Sequence, residues 1–230
     1  MRLSLLSKHW NTARKILWII KMSGKDKEKY EKIYERKGVM TKRGGFEGKY
    51  GDDPLLDKKW RAYGHGFEGK RHLGKVKKLK PQSMIDIGAG HNEFISAYRG
   101  EIHGNPKKIK ERFLGVDIAC KYSDVIAPAH ELPFGDKSFD LLVSFDCMEH
   151  IPEDEVPLAI KEFERVAKRI YLQISLGESA TLIDGELLHV CVKSSDWWLE
   201  QIQQYFPNAI IKQRDRPNTR WENIVVYSKL

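Results

Sequence analysis

Ser83 to Phe94, SMIDIGAGHNEF, constrains the fold of this chain more than any other stretch. A short apolar run, Met84, Ile85 and Ile87 around Asp86, breaks at Gly88-Ala89-Gly90, and a helical pattern starts near Glu93. Strand, glycine turn and helix is how an open α/β sheet offers a nucleotide-type ligand at the carboxyl end of its first strand. A dinucleotide would ask for a third glycine and would rest its pyrophosphate on the helix N-terminus. Here that position holds Glu93, a carboxylate where phosphate charge would have to sit. The turn therefore suits a nucleoside-type ligand without phosphate.

Downstream the alternation is regular. Strands are expected at Ser83–Ile87, Arg112–Asp117, Ser123–Ala127, Phe139–Phe145 and Lys168–Leu176, with a helix through about Tyr98 and another over Pro152–Ala167. A helix begun by Ser194 or Ser195 runs to Tyr205, and Ala209–Gln213 and Glu222–Ser228 read as two last strands. Strands alternating with helices imply a mostly parallel sheet. The short link through Arg216-Pro217-Asn218 makes the closing strands an antiparallel pair at one edge.

The first third is different. Residues 1–80 carry 23 Lys and Arg against 9 Asp and Glu, so the chain's net charge of +8 hides an acidic remainder. Such a region fits nucleic acid, an anionic membrane face, an acidic substrate or a plain solvated surface. Residues 2–22 put Leu3, Leu6, Trp10, Ala13, Leu17 and Ile20 on one helical stripe, with Lys8, Arg14, Lys15 and Lys21 off it. That helix could dock on the main domain, lie on a membrane surface or form a dimer seam. Residues 23–40 read as a second charged helix with Tyr30, Ile33 and Tyr34 at i, i+3 and i+4. Residues 41–74 are glycine-rich and irregular, carry GFEGK at 45–49 and again at 66–70, and are a candidate lid or a disordered segment. His72 to Lys80 reads as a basic helix end. The division is thus a basic extension over 1–74 and an α/β domain over 75–230. Cys120, Cys147 and Cys191 form no C-x-x-C pair, which fits a reducing compartment. No apolar run reaches the roughly 18 residues of a membrane span, and Lys8, Arg14 and Lys15 interrupt any signal-peptide core. The expected location is the cytoplasm, with the inner membrane surface open through residues 2–22.

DIGAG (Asp86–Gly90), GVD (Gly115–Asp117) and above all ELPFGDKSFDLLVSFDCMEHIPED (Glu131–Asp154) resemble the class I S-adenosylmethionine-dependent methyltransferases. The resemblance covers about Lys75 to Leu230. It implies a Rossmann-like methyltransferase fold: a mostly parallel seven-stranded sheet with an antiparallel last strand and helices on both faces. It also implies S-adenosylmethionine as cofactor. Gly88, Ala89 and Gly90 would let the backbone approach the methionine part. Asp86 would brace the loop and help hold the amine. Asp117, followed by Ile118, would accept the ribose hydroxyls. Ala129 and His130 fall where the family contacts adenine, with Pro128 where an Asp is frequent. Phe145 and Asp146 would face cofactor and acceptor.

Met148-Glu149-His150-Ile151 corresponds to the family's L-E-H-I, where Glu149 and His150 often only close a turn. Asp146, Glu149 and His150 at i, i+3 and i+4 could converge at a helix start. His189 follows in the next substrate-facing loop. A histidine, with Asp146 orienting or competing, is the candidate general base. The rival is a divalent metal on Asp146, Glu149, His150 and His189, comparable to the arrangement in small-RNA 3′-end 2′-O-methyltransferases. For the acceptor, ELLHVCVKSSDWW (Glu186–Trp198) resembles methyltransferases associated with glycan assembly, which points to a sugar hydroxyl of a glycan or related small molecule. The basic first third, with Trp10, Tyr30, Tyr34, Trp60 and Tyr63 interleaved, keeps an RNA acceptor open. A non-catalytic cofactor-binding subunit is the third alternative.

Overall fold

The structure, a computed structural model, describes residues 24–34, 39–41, 67–100, 111–179, 181–183, 185–217, 219 and 222–228. The helix read over 2–22, the first GFEGK copy and the aromatic residues Trp10, Trp60 and Tyr63 lie outside them.

Seven strands form the main sheet: β2 (Met84–Ile87), β3 (Phe113–Asp117), β4 (Val125–Ile126), β5 (Phe139–Phe145), β6 (Ala167–Ser175), β9 (Ala209–Asp215) and β10 (Asn223–Ser228). Their order is β4-β3-β2-β5-β6-β10-β9. β10 runs antiparallel to both neighbours and the other contacts are parallel. The chain thus starts in the middle, builds outward to β4, and crosses back to β5. The direction of growth reverses between β2 and β5, where an open sheet leaves its ligand crevice. All seven expected strands are present. Three more, β1 (Val39–Thr41), β7 (Thr181–Ile183) and β8 (Glu186–Leu187), make a small antiparallel sheet that the sequence pattern did not announce.

Side chains on a strand alternate between faces, and the two cores follow that period. Ile85, Ile87, Leu142, Ile170, Leu172, Ile224 and Val226 point to one side. There they meet Val156, Ile160 and Phe163 of α4 (Val156–Val166) and Trp198 and Ile202 of α5 (Ser195–Gln203). Met84, Leu141, Val143, Phe145, Tyr171, Val225 and Tyr227 point to the other. They meet Val76 of α2 (Phe67–Lys78) and Phe94, Ile95 and Tyr98 of α3 (Glu93–Gly100). Burial on both faces is why these strands read as nearly unbroken apolar runs.

Helix boundaries shift from expectation for local reasons. α4 begins at Val156 because the Glu155 and Val156 amides both turn back to the Pro152 carbonyl, and Pro157 then occupies the first turn. α5 starts as expected, with the Ser194 hydroxyl accepting from the Trp197 amide. The residues from 67 on are not irregular but form α2. Gly69 explains its placement, since a Cβ there would stand 3.0 Å from the Phe145 ring and 3.1 Å from Phe94 Cβ. The helix α1 (Gly24–Tyr34) matches the charged helix expected over 23–40, except that Val39 and Met40 belong to β1.

Candidate active site at the carboxyl end of the sheet

The turn after β2 is built around Asp117. The Gly88 and Ala89 amides both donate to the Val116 carbonyl at 2.9 Å, which folds the turn onto the end of β3. Gly88 (φ +74°) and Gly90 (φ +52°) take left-handed backbone angles. A Cβ on Gly88 would stand 2.5 Å from Cys147 Sγ, so the turn also abuts the residue after Asp146. The Gly90 amide donates to Asp117 Oδ2 at 3.0 Å, and the Ala119 and Cys120 amides donate to Oδ1 at 3.0 and 2.9 Å. Asp86, 2 % exposed, lies one strand away; burial and then the Asp117 charge hold its carboxyl well above the ordinary range. Glu93 opens α3 and pairs with Lys70 of α2.

Two tyrosines of α1, four residues apart, reach into the same cleft. Tyr34 donates its hydroxyl to Asp117 Oδ2 at 2.8 Å, and its ring lies 5.9 Å from His91, which in turn lies 5.1 Å from Tyr122. Tyr30 points its hydroxyl at the His150 carbonyl, 3.4 Å away, with its ring edge-on to the imidazole at 6.2 Å. The spacing was visible in sequence. The partners, 83 and 120 residues away, were not.

Beyond β5 the chain makes one 3₁₀ turn, Met148–His150. Asp146, just before it, holds a left-handed backbone (φ +49°), which a non-glycine residue adopts only under constraint. Gln173 supplies that constraint: its carbonyl accepts the Asp146 amide and its side chain donates to Oδ1 at 2.8 Å. His189 reaches the turn because the Val190 and Cys191 amides both donate to the Glu149 carbonyl at 3.0 Å. The His150 and His189 rings stand edge to face at 4.8 Å. Each presents Nδ1 to a backbone carbonyl, Leu188 at 3.1 Å and Gly177 at 2.6 Å. A neutral imidazole that donates from Nδ1 keeps its lone pair on Nε2.

Glu149, His150 and His189 bring one donor atom each to within 4.8 Å of one another. Glu149 is fully buried; its Oε1 accepts from the Ser175 amide at 3.2 Å, while Oε2 meets no donor among the described residues. Burial, then the Asp146 charge, holds its carboxyl well above the ordinary range. Burial and the neighbouring His189 push His150 down to about 3, and burial lowers His189 as well. Both rings are neutral near pH 7.

Not every residue singled out joins this group. Asp146 stands beside it, its carboxylate turned to Gln173, rather than completing a four-residue cluster. The Phe145 ring packs into the second core, 4.7 Å from Phe94 and 5.3 Å from His72. His130 pairs its Nδ1 with Glu155 at 3.3 Å, Ala129 packs against the first core, and Ile118 is half-buried beside Asp117. Trp198 of the WW pair is fully buried in the core.

Residues 85–169 match the family model Methyltransf_11, a methyltransferase domain. Among solved structures the chain is similar to the PH0226 protein of Pyrococcus horikoshii OT3, with 15% identity and a TM-score of 0.51 over 81% of this chain and 100% of that one. It is also similar to the 1,6-didemethyltoxoflavin-N1-methyltransferase of Burkholderia thailandensis, solved with 1,6-didemethyltoxoflavin and S-adenosylhomocysteine. There the identity is 14% and the TM-score 0.55, over 83% and 93% of the two chains. At such identities the likeness establishes the fold. No curated protein matches. The fold is that of the class I S-adenosylmethionine-dependent methyltransferases, and the match to the methyltransferase domain falls on its central strands. The matched methyltransferase domain and the shared fold support a methyltransferase enzyme that uses S-adenosylmethionine. No described helix is long and apolar enough to cross a membrane.

Proposed function

We propose that this enzyme methylates a sugar hydroxyl, in a glycan or a related small molecule. One observation carries the reading: two neutral, carbonyl-anchored histidines stand together one turn beyond the strand whose end abuts the glycine loop. The cofactor supplies an electrophilic methyl on a positively charged sulfur, so the protein's work is to align the acceptor, exclude water and take up its proton. Alignment contributes up to roughly 7–11 kcal/mol, and a positioned base about 10²–10⁴-fold in rate. Asp117 holds the ribose, and Gly88 and Gly90 admit the methionine part without a Cβ in the way. His189, less deeply buried than His150, takes the acceptor proton on Nε2. His150 accepts a hydrogen bond from the acceptor, and Asp146, fixed by Gln173, lines the approach. The glycan assignment draws its support from the Glu186–Trp198 resemblance, of which His189 reaches the site.

A second reading, a ribose 2′-hydroxyl of RNA with metal assistance, has its own observation. The donor set of Glu149, His150 and His189 fits a divalent cation, since a buried carboxylate oxygen with no donor among the described residues is what a ligand position looks like. Those three residues would hold the ion, which when bound lowers the pKa of a coordinated hydroxyl. The two readings part under chelation. Methyl transfer to a panel of glycan and RNA acceptors should survive EDTA if His189 alone is the base. Loss of transfer with S-adenosylhomocysteine binding intact selects the metal site. No transfer to any sugar hydroxyl, with or without divalent ions, would refute both.

A further inference from the structure

We infer that α1 and the cofactor compete for one carboxylate, so that α1 is a latch which S-adenosylmethionine must lift. The inference rests on the reading of Asp117 as the ribose acceptor. A carboxylate offers about four lone-pair sites, and all four of Asp117's are in use. Oδ1 takes the Ala119 and Cys120 amides; Oδ2 takes the Gly90 amide and the Tyr34 hydroxyl. The three amides belong to the turns that shape the site and cannot leave without dismantling it. Among the described residues Tyr34 is the one donor that comes from elsewhere in the chain, and its hydroxyl sits where a ribose hydroxyl would donate. The same face of α1 presents Tyr30 to His150, one helical turn away. The helix therefore spans both the nucleoside end and the acceptor end of the cleft. A ligand that needs Asp117 displaces Tyr34 and loosens α1 over the histidine pair. Cofactor binding thereby opens the acceptor end, an order of events with cofactor first and acceptor second.

The full-length protein and S-adenosylhomocysteine suffice to test this. Tyr34→Phe removes the competing hydrogen bond to a charged group and should tighten binding in calorimetry by roughly ten-fold or more. In hydrogen exchange, the amides of residues 24–34 should exchange faster when S-adenosylhomocysteine is bound. Unchanged or weaker binding by Tyr34→Phe, or slower exchange in α1 on binding, would overturn the latch and make α1 a part of the bound site. Asp117→Asn separates this from the reading beneath it. If that variant binds normally, the ribose assignment itself has failed. If it binds poorly while Tyr34→Phe is unchanged, only the latch has.

Discussion

The two ends of the cleft are finished differently. At Asp117 every acceptor site is filled from within the chain, by three amides and Tyr34. At the histidine pair a buried carboxylate oxygen, Glu149 Oε2, has no donor among the described residues, and each ring keeps one nitrogen facing away from its carbonyl. A satisfied end holds its shape before any ligand arrives. An unsatisfied one costs stability until something fills it. The difference puts a turn held by backbone amides and closed by a displaceable tyrosine at the nucleoside end, and chemistry at the other.

The largest expected effect is at the chemical end. His189→Ala should lower kcat by about 10²–10⁴-fold while leaving S-adenosylhomocysteine affinity as it was, read by steady-state kinetics beside calorimetry. A parallel loss of affinity would erase the division of labour. Next comes the turn that joins the ends. Gly88→Ala puts a Cβ within 2.5 Å of Cys147 Sγ at a left-handed φ, and should cost about 1–3 kcal/mol in denaturant unfolding together with cofactor binding.

Smaller is the effect expected at Glu149. Glu149→Gln keeps the shape but removes the charge that a cation would need. If the metal reading holds, the variant loses the response to divalent ions; if His189 acts alone, turnover changes little. The folded protein is expected to gain slightly in stability near pH 8, because the wild-type carboxyl is held protonated at a cost that grows as pH rises above its unfolded value.

The smallest effect lies behind the cleft, at His72, which contacts the Tyr171 hydroxyl at 2.8 Å and stacks on Phe145. Burial, then Lys75, lowers its imidazole from 6.5 to about 4. The unfolded chain therefore takes up this proton first, so the stability it contributes is complete above about pH 6.5 and falls as pH drops toward 4. His72→Gln should flatten the decline of Tm between pH 6.5 and 5 relative to wild type. An unchanged slope would show that His72 does not carry it.

How much of this was legible in the sequence follows the range of the interactions. The seven strands of the sheet are written locally, as apolar runs closed by Gly88, Asp117 and Asp146, and so were found. The glycine turn and Asp117 were legible for the same reason, through short motifs. The small sheet was not, because β1 pairs Val39 with Ile183, residues with no common pattern. α2 was missed at its start because Gly66, Gly69 and Gly74 read as a loop, whereas Gly69 serves the close approach of helix to Phe145. At the site, the fold brings together Glu149, His150 and His189, three of the residues the sequence put forward. That Asp146 turns to Gln173 and that Tyr34 takes Asp117 depend on contacts 27 and 83 residues apart, which no spacing encodes.

In the proposed arrangement the turn after β2 and Asp117 hold S-adenosylmethionine with its sulfur toward the histidine pair. A crystal structure with S-adenosylhomocysteine tests it most directly. The account predicts ribose hydroxyls on Asp117 Oδ2, the amino-acid portion against Gly88–Gly90, and the sulfur facing His150 and His189. A nucleoside bound elsewhere, or a sulfur pointing away from the two histidines, would contradict it.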